Sequence, residues 1–257
     1  MHDVIEAASR LRDATRGGDP VDLLTPHPSL ELDEGYLIQD CMLDARRRAG
    51  EIVVGAAVAA IGRTIPPAMA DDEPLYRWLT DAMHVDVGTA LARSSLLAPR
   101  VRPEIAFIVD HDLDDPATSA DDVLAACTAV LPALVVVDYR LRQPVVRPAD
   151  VVAICSATSR FVLGGAPVPV RDANVGASRC ILERNGEVVA TVTGAELPGH
   201  PADAVAWLVR RLASRGECIE SGMVVLTGGL RGSIAIDAGD TVTARFDRIG
   251  DVHLRLD

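Results

Sequence analysis

The apolar residues of this 257-residue chain follow a helical spacing at first and a strand-like pattern after residue 100. Residues 3–16 and 36–49 place apolar side chains on one helical side, which predicts two helices. Beyond residue 100, short apolar runs alternate with turn residues, as in a β-rich core. We therefore predict an α+β fold: an N-terminal helical lobe (1–99) and a mixed β-sheet core (100–257), forming one compact unit.

Turn and cap residues place two elements of the predicted core. Asn185-Gly186 is a preferred two-residue turn between apolar runs and predicts a hairpin over 181–193. A proline in the first helical turn is favourable, so His200-Pro201 predicts a helix that ends near residue 213. The pattern also predicts a strand or tightly packed segment at 51–61, a helix at 119–130, strands at 104–109, 134–138, 160–163, 224–226, 233–236, 241–246 and 252–256, and irregular structure at 62–99.

The charged residues exclude several kinds of function. All 25 basic residues are arginine, so the chain has no lysine for a Schiff base or a phosphate-binding P-loop. With 37 acidic residues the formal net charge is −12, which disfavours binding to the phosphates of a nucleic acid. We expect no nucleic-acid partner.

Cysteine spacing and the N-terminus indicate the compartment. Five cysteines, at 41, 127, 155, 180 and 218, lie far apart without a metal-binding spacing, so we predict reduced, mostly buried thiols. The first residues are amphipathic and include acids, unlike a signal peptide, and no apolar run approaches the roughly 20 residues of a membrane span. We predict a cytoplasmic protein that does not bind membranes.

A series of motifs runs in order along nearly the whole chain. It comprises Tyr36-Leu-Ile-Gln39, Asp72-Glu-Pro74, Pro99-Arg-Val-Arg-Pro-Glu-Ile-Ala-Phe107, Pro132-Ala-Leu-Val-Val-Val-Asp-Tyr-Arg140, Arg160-Phe-Val-Leu-Gly-Gly165, Arg184-Asn-Gly-Glu-Val-Val-Ala-Thr191, Gly199-His-Pro-Ala-Asp-Ala-Val-Ala-Trp-Leu208 and Ala238-Gly-Asp-Thr-Val-Thr-Ala244. This series resembles the 2-hydroxypentadienoate (2-oxopent-4-enoate) hydratases and 4-oxalocrotonate decarboxylases of the fumarylacetoacetate hydrolase superfamily. The resemblance implies that the core is the mixed β-sheet roll of that superfamily.

The resemblance also implies a metal site, and here the chain departs from the family. Members hold a divalent ion with three carboxylates, two of them in a Glu-x-Glu pair and the third on a later strand. The corresponding residues are Arg102, Glu104 and Val135, while Ala57 stands at the position of an active-site lysine. An Asp-Asn pair is replaced by Ile154-Cys155, and a Ser-Gly-Ser-Leu-Thr motif by Thr227-Gly-Gly-Leu-Arg231.

One carboxylate beside a guanidinium does not match the oxygen-rich shell that magnesium requires. We therefore predict no metal site of the family type and no cofactor. Two arginines instead suggest an anion site: Arg102 and Arg231 can each bind a carboxylate or an enolate. For both residues a structural alternative stays open, and for Arg102 it is a salt bridge to Glu104 or another acid that closes a pocket without activity.

Candidate site residues divide into two groups. Glu104, Asp138 and Tyr139 are the catalytic candidates: Glu104 as an acid or base, Tyr139 as a proton donor, and Asp138 as an orienting group. Arg102, Arg140 and Arg231 are the substrate-binding candidates. Structural interpretations stay open for all of them: Asp138 and Arg140 can pair with each other or with loop backbone, and Tyr139 can fill the volume left by the ion.

Three functions follow from these residues. The first is a repurposed, metal-independent lyase, isomerase or cyclase that acts on a small anionic keto or enol substrate, for example in natural-product biosynthesis. The second is a non-catalytic paralogue that assembles with a hydratase or decarboxylase of the family. The third is an orthodox hydratase or decarboxylase of aromatic meta-cleavage catabolism. Family resemblance and a mean hydropathy of +0.20 also predict a homo-oligomer.

Overall fold

The computed structural model describes residues 2–17, 31–59, 73–138, 148–193, 199–229 and 233–257. Its helices are α1 (His2–Gly17), α2 (Leu32–Arg48), α3 (Ala120–Ala126), α4 (Pro148–Thr158), α5 (Val170–Ala173) and α6 (Pro201–Ala213). Its strands are β1 (Val53–Ala59), β2 (Leu75–Thr80), β3 (Ala90–Leu91), β4 (Pro99–Val109), β5 (Cys127–Asp138), β6 (Ser159–Leu163), β7 (Val168–Pro169), β8 (Arg179–Arg184), β9 (Glu187–Thr193), β10 (Val224–Leu226), β11 (Ile234–Ala235), β12 (Thr241–Phe246) and β13 (Gly250–Leu256).

The larger of two sheets has the strand order β2-β1-β10-β4-β5-β6, with β11 paired to β4 and β7 to β5. The long antiparallel strands β4 and β5 form its centre, whereas β1 and β10 run parallel. His84, just after β2, forms a bridge to Phe161 of β6, and the Val85 N–H donates to the Phe161 carbonyl oxygen at 2.9 Å. The sheet therefore curls until its two edges meet, and it forms a roll.

The second sheet, β3-β13-β12-β8-β9, shares a core with one face of the roll. Phe107 and Leu134 of the roll, Val252 of the second sheet and Leu208 of α6 are fully buried in this core. The two sheets approach closely at Gly164, where a Cβ atom would lie 2.4 Å from the Cβ of Val252. That contact explains why the chain has glycine at the end of β6.

Helices α1, α2 and α4 form a separate apolar cluster, which includes Leu11, Ile38, Met42 and Ala153. Helix α2 also covers the outer edge of β2. Gln39 donates from Nε2 to the Tyr76 carbonyl at 3.1 Å and accepts from the Trp78 N–H at 3.0 Å. Because an edge strand otherwise leaves such groups unpaired, this side chain stabilises β2 as the end of the sheet.

The α+β class and the mixed-sheet roll are confirmed, and several boundaries need correction. The larger sheet takes strands from both sides of residue 99, since β1 and β2 precede it. The prediction of irregular structure over 62–99 is wrong for β2 and β3, and α4 was not predicted. The predicted helix 119–130 ends at Ala126, because the chain then enters β5 and pairs with β4.

Secondary-structure elements that begin or end at a local turn or cap residue were predicted accurately. Asn185 and Gly186 both have positive φ, 54° and 82°, as a tight hairpin turn requires. The His200 side chain accepts a hydrogen bond from the Ala202 N–H at the start of α6. In the part of the chain that is described, no helix combines the length and apolarity needed to cross a membrane.

Candidate functional site

The inner face of the larger sheet forms a buried surface that we call the roll interior. Every second residue of its strands points to this face. It is lined by Ala57, Leu79, Ala106, Leu131, Ala133, Val135, Val137, Phe161 and Leu226, with Met83 packed beside them. The polar side chains on the same face are therefore held in a largely apolar enclosure.

The register of β4 and β5 brings the three positions of the implied metal site together. Arg102 pairs with Val135, and Glu104 pairs with the neighbouring Ala133. Alternation along each strand then places all three side chains, at 102, 104 and 135, on the roll interior. The sequence comparison that grouped these positions agrees with the fold.

Arg102, which is partly buried, and Glu104, which is fully buried, form an ion pair. The Arg102 Nε donates to Oε1 of Glu104 at 2.7 Å, and the Gly228 N–H donates to Oε2 at 3.1 Å. Glu104 is fully buried, and the Arg102 side chain is 14% exposed. The salt bridge foreseen as a structural role for Arg102 is thus present, while substrate binding by Arg102 and catalysis by Glu104 stay predictions.

Both ends of the segment that carries Arg231 are fixed on β4. At one end Gly228 donates to Glu104, and at the other Arg100 donates from Nε to the Ser233 hydroxyl at 2.8 Å and from Nη2 to the Ser233 carbonyl. Strand β11 then pairs with β4 at Val101. Arg231 itself lies outside the described residues.

Asp138 ends β5 and holds the segment that leads into β4. It is fully buried, and its carboxylate accepts from the N–H groups of Leu97 at 3.0 Å and Ala98 at 2.7 Å. These contacts give Asp138 a structural role, and its participation in chemistry stays a prediction. Tyr139 and Arg140 lie outside the described residues.

Arg77 is a charged residue of the roll interior that the sequence analysis missed. It is fully buried in the middle of β2 and pairs across the strands with Ala57. The segment lies within 62–99, where the sequence predicts irregular structure. A six-residue run with two aromatic residues, Leu75–Thr80, was the available signal for a strand.

A known protein family matches the part of this chain that contains the roll. The profile described as "Fumarylacetoacetate (FAA) hydrolase C-terminal" matches residues 53–256. The chain belongs to the fumarylacetoacetate hydrolase family. This membership confirms the resemblance seen in the sequence.

This fumarylacetoacetate hydrolase family member is similar in sequence to hydratases and decarboxylases. A 2-keto-4-pentenoate hydratase from Burkholderia vietnamiensis is 32% identical over 251 residues, 97% of this chain and 96% of the hydratase. A 4-oxalocrotonate decarboxylase from Pseudomonas sp. strain CF600 is 31% identical over 230 residues, 90% of this chain and 87% of the decarboxylase. These relatives are enzymes that act on small molecules.

A solved structure extends the comparison to the whole fold. The 4-oxalocrotonate decarboxylase from Pseudomonas putida G7, complexed with magnesium and adipate, superposes with a TM-score of 0.94 at 28% identity. The match covers 100% of this chain and 98% of that one. A fumarylpyruvate hydrolase from Pseudomonas aeruginosa, at a TM-score of 0.61 and 16% identity, shares the fold.

The described residues of this family member do not fit a divalent ion held by three carboxylates. The three positions carry a cation, one carboxylate and an apolar side chain in Arg102, Glu104 and Val135. Across the ranges that the structure describes, no three His, Cys, Asp or Glu side chains lie together as a potential metal site. A guanidinium repels an ion of the same sign, so no step of the chemistry below is assigned to a metal.

Proposed function

We propose that this chain is a metal-independent enzyme of the hydratase and decarboxylase type, which transfers protons on a small keto or enol carboxylate. The observation that carries the proposal is the partly buried Arg102, which corresponds to a metal-ligand position of the family and lies in register with Val135. A guanidinium can bind a carboxylate or enolate through two parallel N–H donors. Arg102 thereby replaces the positive charge that an ion would bring to this surface.

In this proposal Glu104 is the group that moves the proton. A substrate carboxylate or enolate oxygen competes with Glu104 for Arg102, and its binding releases Oε1 of Glu104, now 2.7 Å from the Arg102 Nε. The freed carboxylate takes a proton from the carbon next to the keto group. The C–H electron pair then forms the carbon–carbon double bond, and the carbonyl electrons move to the keto oxygen, where Arg102 stabilises the charge.

The other candidates have supporting roles in the proposal. Arg231 adds a second cation from its segment, whose ends are fixed at Gly228 and Ser233. Asp138 keeps residues 97 and 98 in place before β4. Tyr139 returns a proton to the enolate and Arg140 orients the substrate. Hydration, isomerisation or cyclisation of a keto-acid substrate can proceed through such an enolate.

Deuterium exchange tests this proposal without knowledge of the natural substrate. The protein is incubated with 2-oxopentanoate in D2O containing EDTA, and loss of the C3 proton signal is followed by NMR. We expect exchange above the protein-free rate, about 100-fold slower exchange in Glu104→Gln because the base is lost, and a raised KM in Arg102→Met. Exchange that appears only after magnesium is added contradicts the proposal.

The Arg102–Glu104 pair also favours a second candidate, a non-catalytic paralogue that assembles with a related enzyme. The fully buried carboxylate already has two donors, so the pair is satisfied within the protein without a substrate. This candidate predicts no exchange with 2-keto acids under any condition. It also predicts that the chain co-purifies with a co-expressed hydratase or decarboxylase and raises the activity of that partner.

A further inference from the structure

A second pocket, which we call the basic pocket, lies near the other end of β5 from Arg102. Its volume is about 480 Å³, within the range typical of sites for small molecules. Strand β7 pairs with β5 at Ala129 and Val130, and α5, which follows β7, forms one wall of the pocket. Arg102 instead pairs with Val135, about 17 Å further along β5. The basic pocket is therefore separate from the candidate site in the roll interior.

The polar side chains that line the basic pocket can all donate hydrogen bonds: Arg171, Asn174, His200 and Arg248. They come from α5 and its C-terminal end, from the start of α6, and from the turn between β12 and β13. Within the described residues, the lining includes no carboxylate. Asp172 lies 3.8 Å from Arg171, but both side chains are well exposed, so this ion pair is weak and a ligand can replace it. The lining therefore favours an anionic ligand.

The His200 ring is held in an orientation that makes one nitrogen a donor. Its Nδ1 accepts a hydrogen bond from the Ala202 N–H at 3.1 Å, so the hydrogen of the neutral ring is on Nε2. The ring packs on Gly176, where a Cβ atom would lie 2.5 Å from Cδ2 and 3.0 Å from Nε2. Glycine at this position leaves the space that the ring needs beside the pocket.

Arg248 has a backbone conformation that is unfavourable for a long side chain. Its φ is +65°, in the left-handed region where glycine and asparagine are common. A turn selected for stability alone would have one of those two residues here. Because the side chain of Arg248 lines the basic pocket, the conformational cost indicates a binding role for its guanidinium.

We propose that the basic pocket binds a small organic phosphate monoester, independently of the reaction in the roll interior. The two guanidiniums and the His200 Nε2 come from three elements, and each can donate to one of the three terminal oxygens of a phosphate. A phosphate monoester also has a charge of about −2 at neutral pH, whereas a carboxylate has two oxygens and a single charge. The organic body of the ligand packs on the apolar part of the lining, Leu124, Val170 and Val175.

Calorimetric titration with phenyl phosphate tests the chemical class of the ligand, with benzoate and inorganic phosphate for comparison. We expect phenyl phosphate to bind at least about tenfold more tightly than either, because benzoate has less charge and inorganic phosphate has no apolar body. Benzoate that binds as tightly as phenyl phosphate contradicts the choice of a phosphate. Inorganic phosphate that binds as tightly contradicts the apolar contacts, and a protein that does not bind phenyl phosphate at millimolar concentration overturns the proposal.

The variant Arg248→Asn separates binding from stability. Asparagine adopts a positive φ more readily, so the variant should unfold at the same temperature as the wild type or at a higher one. Its affinity for phenyl phosphate should nevertheless fall about tenfold or more, because a charge-assisted hydrogen bond is lost. Arg255→Met is the matched control: it removes the same charge from an exposed position of β13 outside the pocket and should bind like the wild type. Unchanged binding in Arg248→Asn, or an equal loss in Arg255→Met, overturns the proposal.

The NMR signals of the His200 ring report where phenyl phosphate binds. They are assigned by their absence from His200→Asn, in which the new residue is also favoured at the N-cap of α6. Phenyl phosphate should shift these signals in the wild type, and His200→Asn should bind it more weakly because the Nε2 donor is lost. A ligand that binds without moving them lies elsewhere, for example in the roll interior, and this result would refute the assignment to the basic pocket.

Discussion

At the scale of single residues, the Glu104 carboxylate has two donors, Arg102 on one oxygen and the Gly228 N–H on the other. Removing one partner of a buried ion pair leaves the other charge uncompensated, which costs about 3 kcal/mol or more. Neutralising both partners removes that penalty. The pair therefore contributes less to stability than either single substitution suggests.

A double-mutant cycle measures this coupling. We expect Arg102→Met to lower the free energy of unfolding by about 3 kcal/mol, and Arg102→Met with Glu104→Gln to be less destabilised than the sum of the two single variants. Urea unfolding gives the four values. Additive effects would show that the two side chains do not interact, contrary to the 2.7 Å contact.

The sequence identifies the positions of the candidate site, but it does not show that their side chains face the same side of the sheet. The motifs identified Arg102, Glu104 and Val135, while their common facing depends on the register of β4 against β5, which pairs residues about 30 positions apart in sequence. Arg77 was missed because β2 is buried at all six positions. A strand buried on both faces has no alternation to reveal it.

At the scale of elements, Asp240 joins the β8–β9 turn to the connection between β11 and β12. It accepts from the Asn185 side chain at 2.8 Å and from the Asp237 N–H at 2.7 Å, and it pairs with Arg184 at 2.8 Å. Burial alone would raise its pKa. The hydrogen bonds from Asp237, Asn185 and Arg184 outweigh burial and lower the pKa below the ordinary 3.8.

The lowered pKa sets the sign of a pH effect on stability. A carboxyl whose folded pKa is depressed contributes stability above its unfolded pKa, and this contribution is lost as the pH falls through the folded value. We expect the wild type to lose stability below about pH 4 more steeply than Asp240→Asn does. Chemical denaturation from pH 7 to pH 2 checks this. Parallel curves would exclude the role of Asp240.

Elements fixed by neighbouring residues were predicted well, and those fixed by distant contacts were not. The Asn185-Gly186 hairpin and α6 carry their own turn and cap signals. Helix α4 begins with Pro148, a residue favoured in the first helical turn, and that signal was available but unused. Strand β5 begins at Cys127 instead of continuing α3 because β4 lies beside it.

At the scale of the whole molecule, the proposed anion site lies inside a protein that carries a formal net charge of −12. The net charge of −12 repels anions at long range, whereas in the proposed function Arg102 attracts them in the roll interior. Salt screens the first effect more than the second, because screening is strongest between exposed charges. The homo-oligomer stays a prediction, which light scattering of the purified protein would answer.

The affinity for oxalate, a planar mimic of an enolate beside a carboxylate, in EDTA and in magnesium tests the central claim most directly. Arg102 holds the anion in this account, so calorimetry should give dissociation constants that agree within about twofold in the two buffers, and Arg102→Met should weaken both about equally. Binding that occurs only with magnesium, or that Arg102→Met leaves unchanged, would contradict the account.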